Sequence, residues 1–292
     1  LLIVLTPLES VDTLMNFATY VLKLCRGYGI KVKSKGEARL QACKQLKFAN
    51  IAYYDVDENF FSSWSNEMAY VLGFCFADAC LSRAQKAKSE NYYRLQIAIK
   101  DLDLLTRIKE LMKSEHPIKT IKNTNGKTIY SFTIGREKIT QNLLRLGLTP
   151  RKSLIIRFPD MPQEHINHFI RGYFDGDGCI SLHGGKRSGG GHWRFSIVSG
   201  SIDFIHSLKE NLIKYAGVDK IEVYGHKSAN AYNLSCDRLS NIAKIYSFFY
   251  DESAISNRLY LERKYLKLKE AFDKYNNWTP RQKHIATLHY AN

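Results

Sequence analysis

The chain has 292 residues, which is long enough for one large domain or two ordinary ones. Apolar residues make up 45 % of it, and no stretch is long and uncharged enough to span a membrane. Forty-three Lys and Arg residues stand against 28 Asp and Glu residues, which gives a formal net charge of +15. Such a surplus is usually matched to a polyanion, and nucleic acid is the commonest one. The composition favours a nucleic-acid partner and no membrane, although a merely basic globular protein is an alternative.

The six cysteines show no spacing that is typical of a zinc site, because they form neither a Cys-x-x-Cys pair nor a Cys/His cluster. Cys75 and Cys80 lie in or beside an apolar helical pattern. We expect them to be small buried side chains in a reducing compartment. No secretory signal pattern is seen, so the expected location is intracellular: the cytoplasm, the nucleoid or an organelle matrix.

Residues 1–60 precede the repeated part of the chain. A helical pattern covers residues 11–25, and a basic stretch follows it with Lys31, Lys33, Lys35 and Arg39. We expect an amino-terminal extension that could act as an arm on the nucleic acid.

Two segments share one pattern, which indicates an internal duplication. Residues 69–79 read Ala-Tyr-Val-Leu-Gly-Phe-Cys-Phe-Ala-Asp-Ala, and residues 168–178 read His-Phe-Ile-Arg-Gly-Tyr-Phe-Asp-Gly-Asp-Gly. Gly73 then aligns with Gly172, and Asp78 aligns with Asp177. The similarity continues downstream in collinear order, for example from Arg94 to Arg194, Tyr130 to Tyr232 and Arg136 to Arg238.

The periodicity predicts the same elements in both copies. One helix begins near Ser65, which is a suitable N-cap, and its counterpart begins after Pro162. Strands are predicted over 80–88, 92–99, 117–123, 128–134, 179–186, 192–198, 219–225 and 230–236, and further helices over 102–112, 137–146, 204–215 and 239–250. The predicted fold class is α+β, with two pseudo-symmetric αββαββα repeats over residues 61–158 and 159–269. Residues 270–292 are expected to form a charged tail of uncertain order.

Small residues recur at four-residue spacing in the two repeated helices, at Ala69, Gly73 and Ala77 in the first and at Gly172 and Gly176 in the second. This spacing lets two helix backbones pack closely around a pseudo-two-fold axis. Close packing would bring Asp78 and Asp177 together, and two like charges need divalent cations or protons to compensate them. The alternative is that Gly-Asp-Gly at 176–178 is only a helix stop.

The stretch Phe-Ile-Arg-Gly-Tyr-Phe-Asp-Gly-Asp-Gly at 169–178 resembles the LAGLIDADG signature of homing endonucleases, and residues 70–79 resemble a weaker second copy. With the downstream repeats, the resemblance covers roughly residues 65–268. It implies a single-chain, intron-encoded endonuclease whose two antiparallel sheets form a saddle over DNA, with the helix pair at the centre. The earlier acidic position of the signature is Asp175 in the second copy but Phe76 in the first, and in this family that position is usually structural.

The resemblance also implies the catalytic residues. Asp78 and Asp177 would bind the divalent metals, and Ala77 and Gly176 would each lend a backbone carbonyl. The expected ion is Mg²⁺, which Mn²⁺ could replace, whereas Ca²⁺ should bind without supporting cleavage. Such ions would neutralise the scissile phosphates and activate water, and the cuts would face each other across the minor groove and leave short 3′ overhangs.

Lys152 and Lys264 occupy matching positions after the two repeats, where the family often has an active-site lysine. We expect each of them to assist at one scissile phosphate. The alternative is a solvated surface charge, as for most lysines.

DNA recognition is expected from the exposed strand faces, because a β-ribbon fits the major groove. The predicted outward residues of the first strands are Ser82, Ala84, Lys86, Lys88, Ser181, His183 and Gly185. The neighbouring strands add Arg94, Gln96, Arg194 and Ser196, the loop over 184–191 adds Lys186 and Arg187, and residues 1–60 could be a further DNA-binding arm. The outward residues of the two halves differ, which predicts an asymmetric DNA target bound by a monomer.

Other functions fit the sequence less well. An intron RNA maturase or a non-cleaving DNA-binding regulator could share the scaffold, with intron RNA as a partner, but such relatives often lose one or both aspartates and here both remain. The endonuclease part of an intein is not expected, because the amino end has no Cys or Ser nucleophile, although the last residue is Asn292. A basic structural protein without chemistry would leave the paired aspartates unexplained.

Overall fold

The computed structural model of the protein describes residues 27–29, 54–83, 93–122, 125–184, 191–225 and 231–288. The chain divides into two compact units, residues 1–54 and residues 55–292. The second unit contains both predicted repeats and begins before residue 61. Its first residues are tied to the first repeat, because the Asp57 N–H donates to the Met112 carbonyl at 2.9 Å and the Glu115 N–H donates to the Asp55 carbonyl at 2.8 Å.

The first repeat follows the predicted order of helix, two strands, helix, two strands and helix. Ser65 caps the first helix as predicted, since its hydroxyl accepts from the Met68 N–H. The elements are α1 (Asn66–Asp78), β1 (Ala79–Arg83), β2 (Tyr93–Ile99), α2 (Leu102–Leu111), β3 (Lys119–Lys122), β4 (Thr128–Ile134) and α3 (Glu137–Arg145).

The second repeat has the same order. A short 3₁₀ turn over Gln163–His165 follows Pro162, so the α-helix begins three residues later than the proline predicted. The elements are α4 (Ile166–Asp177), β5 (Gly178–His183), β6 (His192–Ser199), α5 (Ile202–Ala216), β7 (Glu222–Gly225), β8 (Tyr232–Cys236) and α6 (Leu239–Phe249). The fold is therefore α+β with two matching halves.

Each half contains one four-stranded antiparallel sheet. The strand order is β1-β2-β4-β3 in the first sheet and β5-β6-β8-β7 in the second. In β2 the side chains of Leu95, Ile97 and Ile99 are buried, whereas Arg94, just before them, is exposed and the alternate residues Gln96 and Ala98 are half-buried. The same alternation in β6 buries one face and exposes Arg194 on the other. Each sheet thus packs one face on the core and leaves the other face open, as the period of two predicted.

The helices α1 and α4 form the centre of the unit over residues 55–292, and glycine makes their contact possible. A Cβ atom built on Gly73 would lie 2.0 Å from the carbonyl oxygen of Phe169, and one on Gly172 would lie 2.0 Å from that of Tyr70. No side chain fits at either place, because the neighbouring atoms belong to backbone. Ala69, one turn before Gly73, is fully buried. Gly73 and Gly172 therefore occupy places where the backbones of the two helices are in contact.

Three further helices follow α6 along the chain: α7 (Glu252–Ser256), α8 (Glu262–Asn276) and α9 (Pro280–Leu288). The expected boundary at residue 269 falls inside α8, and residues 270–276 and 280–288 of the expected tail are helical. Ala271 is fully buried, and Phe272, Tyr275 and Trp278 pack against the core. Among the described residues, no helix has the length and apolar character needed to cross a bilayer.

The prediction for the cysteines is partly wrong. Cys75 is buried as expected, but Cys80 is exposed on β1, and Cys179 is exposed at the matching position of β5. Both belong to the open faces of the sheets, where alternation rather than apolar character decides burial. Several predictions lie outside the described residues: the helix over 11–25, the basic stretch 31–39, and Ala84, Lys86, Lys88, Gly185, Lys186 and Arg187.

Candidate active site at the end of the helix pair

The two repeated aspartates end the two central helices. Asp78 is the last residue of α1, and Asp177 is the last residue of α4. The close contact extends to this end, because a Cβ atom on Gly176 would lie 2.3 Å from the Ala77 Cβ and 3.3 Å from the Asp78 Oδ2. The carboxylate of Asp78 therefore lies beside the residue that precedes Asp177. Both aspartates are exposed, so the site opens to solvent.

The electrostatics of the pair favour a bound cation or proton. Although both side chains reach solvent, the surrounding protein partly desolvates them. This desolvation, followed by the charge of Asp78, raises the pKa of Asp177 to about 6. Desolvation also raises the pKa of Asp78, while Lys264 and Lys152 oppose that rise. The structure holds two carboxylates whose mutual repulsion is only partly compensated by nearby ammonium groups.

Lys152 and Lys264 reach this site, and neither is a solvated surface charge. The Lys152 ammonium donates to the Ala77 carbonyl at 2.7 Å. The Lys264 ammonium donates to the carbonyls of Phe174 and Asp175 at 2.7 Å each and of Gly176 at 3.1 Å. These carbonyls lie in the last turns of α1 and α4, where a positive charge is favourable.

The two lysines differ in burial. Lys264 is only 5 % exposed, and desolvation lowers its pKa to about 8, whereas Lys152 is half-buried. Lys264 therefore secures the end of α4, and Lys152 is the more accessible ammonium. The sequence carried no signal for this difference, since both lysines occupy the same repeat position.

Asp175, the earlier acidic residue of the second motif, lies in the core. Its Oδ2 accepts from the Tyr70 hydroxyl at 2.7 Å and from the Leu261 N–H at 2.9 Å. Leu261 is the N-cap of α8, the helix that contains Lys264. Asp175 thus attaches the beginning of α8 to both central helices. At the matching position of the first motif, Phe76 packs on the Phe169 ring at 5.2 Å.

The open sheet faces flank the helix ends. Ser82 and Arg94 are exposed, and Gln96 is half-buried on the first sheet, while Ser181, His183, Arg194 and Ser196 occupy the second. These residues lie on the open faces, as their strand positions predicted, and Cys80 and Cys179 are exposed there as well. His183 shares a 2.7 Å hydrogen bond with Ser181. Arg194 is paired with Asp237, and local sequence patterns do not reveal this pair because the two residues are 43 positions apart.

Several solved structures are similar to this chain, and they are LAGLIDADG homing endonucleases. One is I-GzeII in complex with its DNA target, at 12 % identity, covering 77 % of this chain and 96 % of that one with a TM-score of 0.47. Another is a lysine-to-alanine mutant of I-SmaMI, at 16 % identity, covering 73 % and 93 % with a TM-score of 0.49. The homing endonuclease I-WcaI, bound to its recognition sequence, is 13 % identical, covering 72 % and 91 % with a TM-score of 0.45.

Curated relatives match only part of the chain. The probable translation initiation factor IF-2 of Methanocaldococcus jannaschii is 27 % identical over 159 residues, which is 52 % of this chain. The same factor of Thermococcus kodakarensis is 28 % identical over 132 residues, or 43 % of this chain. The match spans 12 % and 11 % of those two proteins, so it concerns a small segment of each. No protein-family model matches the chain.

The donor set at the helix ends is chemically suited to a hard divalent cation. Asp78 and Asp177 offer carboxylate oxygens, and the carbonyls of Ala77 and Gly176 lie beside them; Mg²⁺ and Ca²⁺ prefer such oxygen ligands. Each carbonyl already accepts a lysine hydrogen bond but retains a second lone pair. In the part of the chain that the structure describes, no group of three or more His, Cys, Asp or Glu residues is placed to hold a metal. Water or substrate oxygens would have to complete the coordination.

Cation binding at this site should weaken in acid. Because the pKa of Asp177 is raised to about 6, protons compete with the cation for its carboxylate below that pH. The affinity for Mn²⁺ should fall by about tenfold for each pH unit below about 6, if one proton is displaced. Calorimetric titrations at pH 7.5 and pH 5 measure this difference. Equal affinities at both values would contradict it.

Proposed function

We propose that this protein is a site-specific DNA endonuclease that breaks both strands of a long, asymmetric target in a reaction dependent on a divalent metal. The observation that carries the proposal is the pairing of Asp78 and Asp177 at one end of the central helices, between two open sheet faces. Two carboxylates at a pseudo-dyad suit one cut on each strand. Both halves lie in one chain, so we propose that a monomer is sufficient.

Charge and asymmetry support DNA as the substrate. The chain has a formal net charge of +15, which suits a polyanionic partner. The open faces display Arg94 and Gln96 on one sheet and Arg194 with His183 on the other, and these side chains can hydrogen-bond base edges. Because the two faces differ, the two half-sites should differ in sequence. The similar solved structures include homing endonucleases in complex with DNA, in one case with calcium ions.

The residues at the helix ends have distinct proposed roles. Asp78 and Asp177 would hold the metal with the Ala77 and Gly176 carbonyls, and a bound Mg²⁺ would supply charge neutralisation at the phosphate and lower the pKa of the attacking water. Lys152 would move from the Ala77 carbonyl to a phosphate oxygen, because a phosphate offers full negative charge where the carbonyl offers only a dipole. Lys264 would keep the end of α4, and with it Asp177, in position.

Removing the accessible ammonium should slow the chemical step. For Lys152→Met we expect single-turnover cleavage to fall by about 10²-fold, since a charged donor to the phosphate in the transition state is lost. DNA affinity in Ca²⁺ should change less than threefold, because the substitution leaves both sheet faces intact. Quench-flow cleavage and filter binding measure the two quantities. A cleavage rate equal to that of the unmodified protein would remove Lys152 from the mechanism.

Cleavage selection tests the proposal as a whole. A randomised double-stranded library is incubated with the full chain and Mg²⁺, and the ends of broken duplexes are sequenced. The proposal predicts breaks on both strands at a fixed offset within one asymmetric consensus. Bound but intact DNA, under conditions in which the protein selects a consensus, would favour a non-cleaving regulator and overturn the endonuclease.

A further inference from the structure

The open face of the second sheet contains an ion pair in an unusual place. The Arg194 Nε donates to the Asp237 Oδ1 at 2.7 Å, and its Nη2 donates to the Oδ2 at 2.5 Å. Both side chains are accessible, at 44 % and 37 % exposure. Exposed pairs contribute little to folding stability, and a carboxylate on a surface facing phosphates opposes DNA binding. Neither folding stability nor affinity for DNA therefore explains why a carboxylate stands at position 237.

The strand register explains how the two residues meet. Phe195 on β6 pairs with Cys236 on β8, so one step further along the antiparallel ladder places Arg194 opposite Asp237. On the other side, Arg194 pairs with Ser181 of β5. Arg194 thus lies on an inner strand of the sheet, with β5 on one side and β8 on the other.

The pairing leaves one edge of the guanidinium available. Asp237 occupies the side edge, formed by Nε and Nη2, and in the described part of the chain no other group accepts from Arg194. The end edge, formed by Nη1 and Nη2, keeps two parallel N–H donors, which match the O6 and N7 acceptors of guanine in the major groove. Arg194 and Asp237 line an open recess of about 470 Å³ together with Tyr224, Asn233 and Ser235.

Among its described residues, the first half does not repeat this ion pair. Arg94 is the counterpart of Arg194, and it pairs with Ser82 just as Arg194 pairs with Ser181. Leu95 pairs with Ile134, so the residue opposite Arg94 is Gly135, which has no side chain to hold a guanidinium. The residue opposite the repeated arginine on the neighbouring strand is therefore an aspartate in the second half and a glycine in the first.

We propose that Asp237 is a specificity-determining positioning residue: it fixes Arg194 so that the end edge of the guanidinium reads one guanine in the half-site bound by the second sheet. The proposal rests on the proposed DNA-binding function and deepens it. A free arginine can exchange between phosphates and bases, whereas one whose side edge is held loses less freedom on forming a bidentate contact. The corresponding base under Arg94 should be read less strictly.

The test measures base preference and affinity separately. The full chain selects from a randomised double-stranded library in Ca²⁺, and the preference at each position is compared among Asp237→Ala, Asp237→Asn and Arg194→Ala. Asp273→Ala is the matched control, because it removes an exposed carboxylate from a comparable exposed ion pair, with Lys269 on α8. Melting temperatures should agree within about 2 °C, since exposed pairs add little stability.

Arg194→Ala should abolish a guanine preference at one position, and both Asp237 variants should weaken that preference on the order of tenfold while leaving other positions unchanged. Affinity of Asp237→Ala for an unrelated duplex should stay equal or rise, because a negative charge is removed. Asp273→Ala should change neither quantity. A guanine preference that depends on Arg194 but survives in both Asp237 variants would overturn the proposal, as would a loss spread over all positions. If the unmodified protein selected no sequence from the library, the proposed function would be overturned as well.

Discussion

Replacing Asp78 or Asp177 by Asn should reduce double-strand cleavage by on the order of 10³-fold. Asparagine keeps the size of the side chain but removes the charge that compensates a divalent cation. Both carboxylates lie at one end of the helix pair, so each substitution should affect the shared site rather than one isolated residue. Cleavage of each strand, followed with separately labelled ends, measures the effect.

The matched control for these variants is Asp103→Asn. Asp103 also has a repeated counterpart, Asp203, but it is exposed in the first turn of α2 and does not end a central helix. Its substitution should leave cleavage within about twofold of the unmodified protein, as expected for a surface site. Cleavage of both strands at the unmodified rate by Asp78→Asn or Asp177→Asn would contradict the assigned roles.

Adding one methyl group at the helix interface should destabilise the protein strongly. In Gly73→Ala or Gly172→Ala the new Cβ would meet a backbone carbonyl oxygen at 2.0 Å, so the helices must move apart. We expect a loss of about 3 kcal/mol or more in the free energy of unfolding. The melting temperature should then fall by about 6–12 °C for a unit of this size. Calorimetry or far-UV circular dichroism measures the shift.

Gly225→Ala provides the control for this pair. A Cβ atom there would lie 3.7 Å from the Tyr232 ring, which is ordinary contact, so the change in stability should stay within about 0.5 kcal/mol. If Gly73→Ala and Gly172→Ala melted at the same temperature as Gly225→Ala, the close helix contact would be disproved.

Local patterns predicted the architecture because each half repeats the same periodicity. Apolar alternation located β2 and β6 within a residue, and the Ser65 cap located the start of α1. Small residues at four-residue spacing predicted the helix contact, since only Gly or Ala permits such proximity. The later start of α4 was missed because a proline fits the first turn of a 3₁₀ helix as well as that of an α-helix.

Features that depend on distant contacts were not predictable. The burial of Lys264 follows from the docking of α8 against the end of α4, and nothing in the local sequence distinguishes it from Lys152. The partner of Arg194 follows from the register of β8. The exposure of Cys80 could have been predicted, because alternate residues of a strand share a face and Cys80 therefore lies on the same open face as Ser82.

The central claim is that Asp78 and Asp177 hold divalent cations together. Anomalous diffraction from a crystal of the protein with its selected DNA and Mn²⁺ tests it most directly. We expect one or more Mn²⁺ peaks at the ends of α1 and α4, with carboxylate oxygens of both aspartates within about 2.6 Å of bound metal. Mn²⁺ peaks only at other places would contradict the claim. So would a complex that cleaves its DNA when warmed but has no metal bound to the two aspartates.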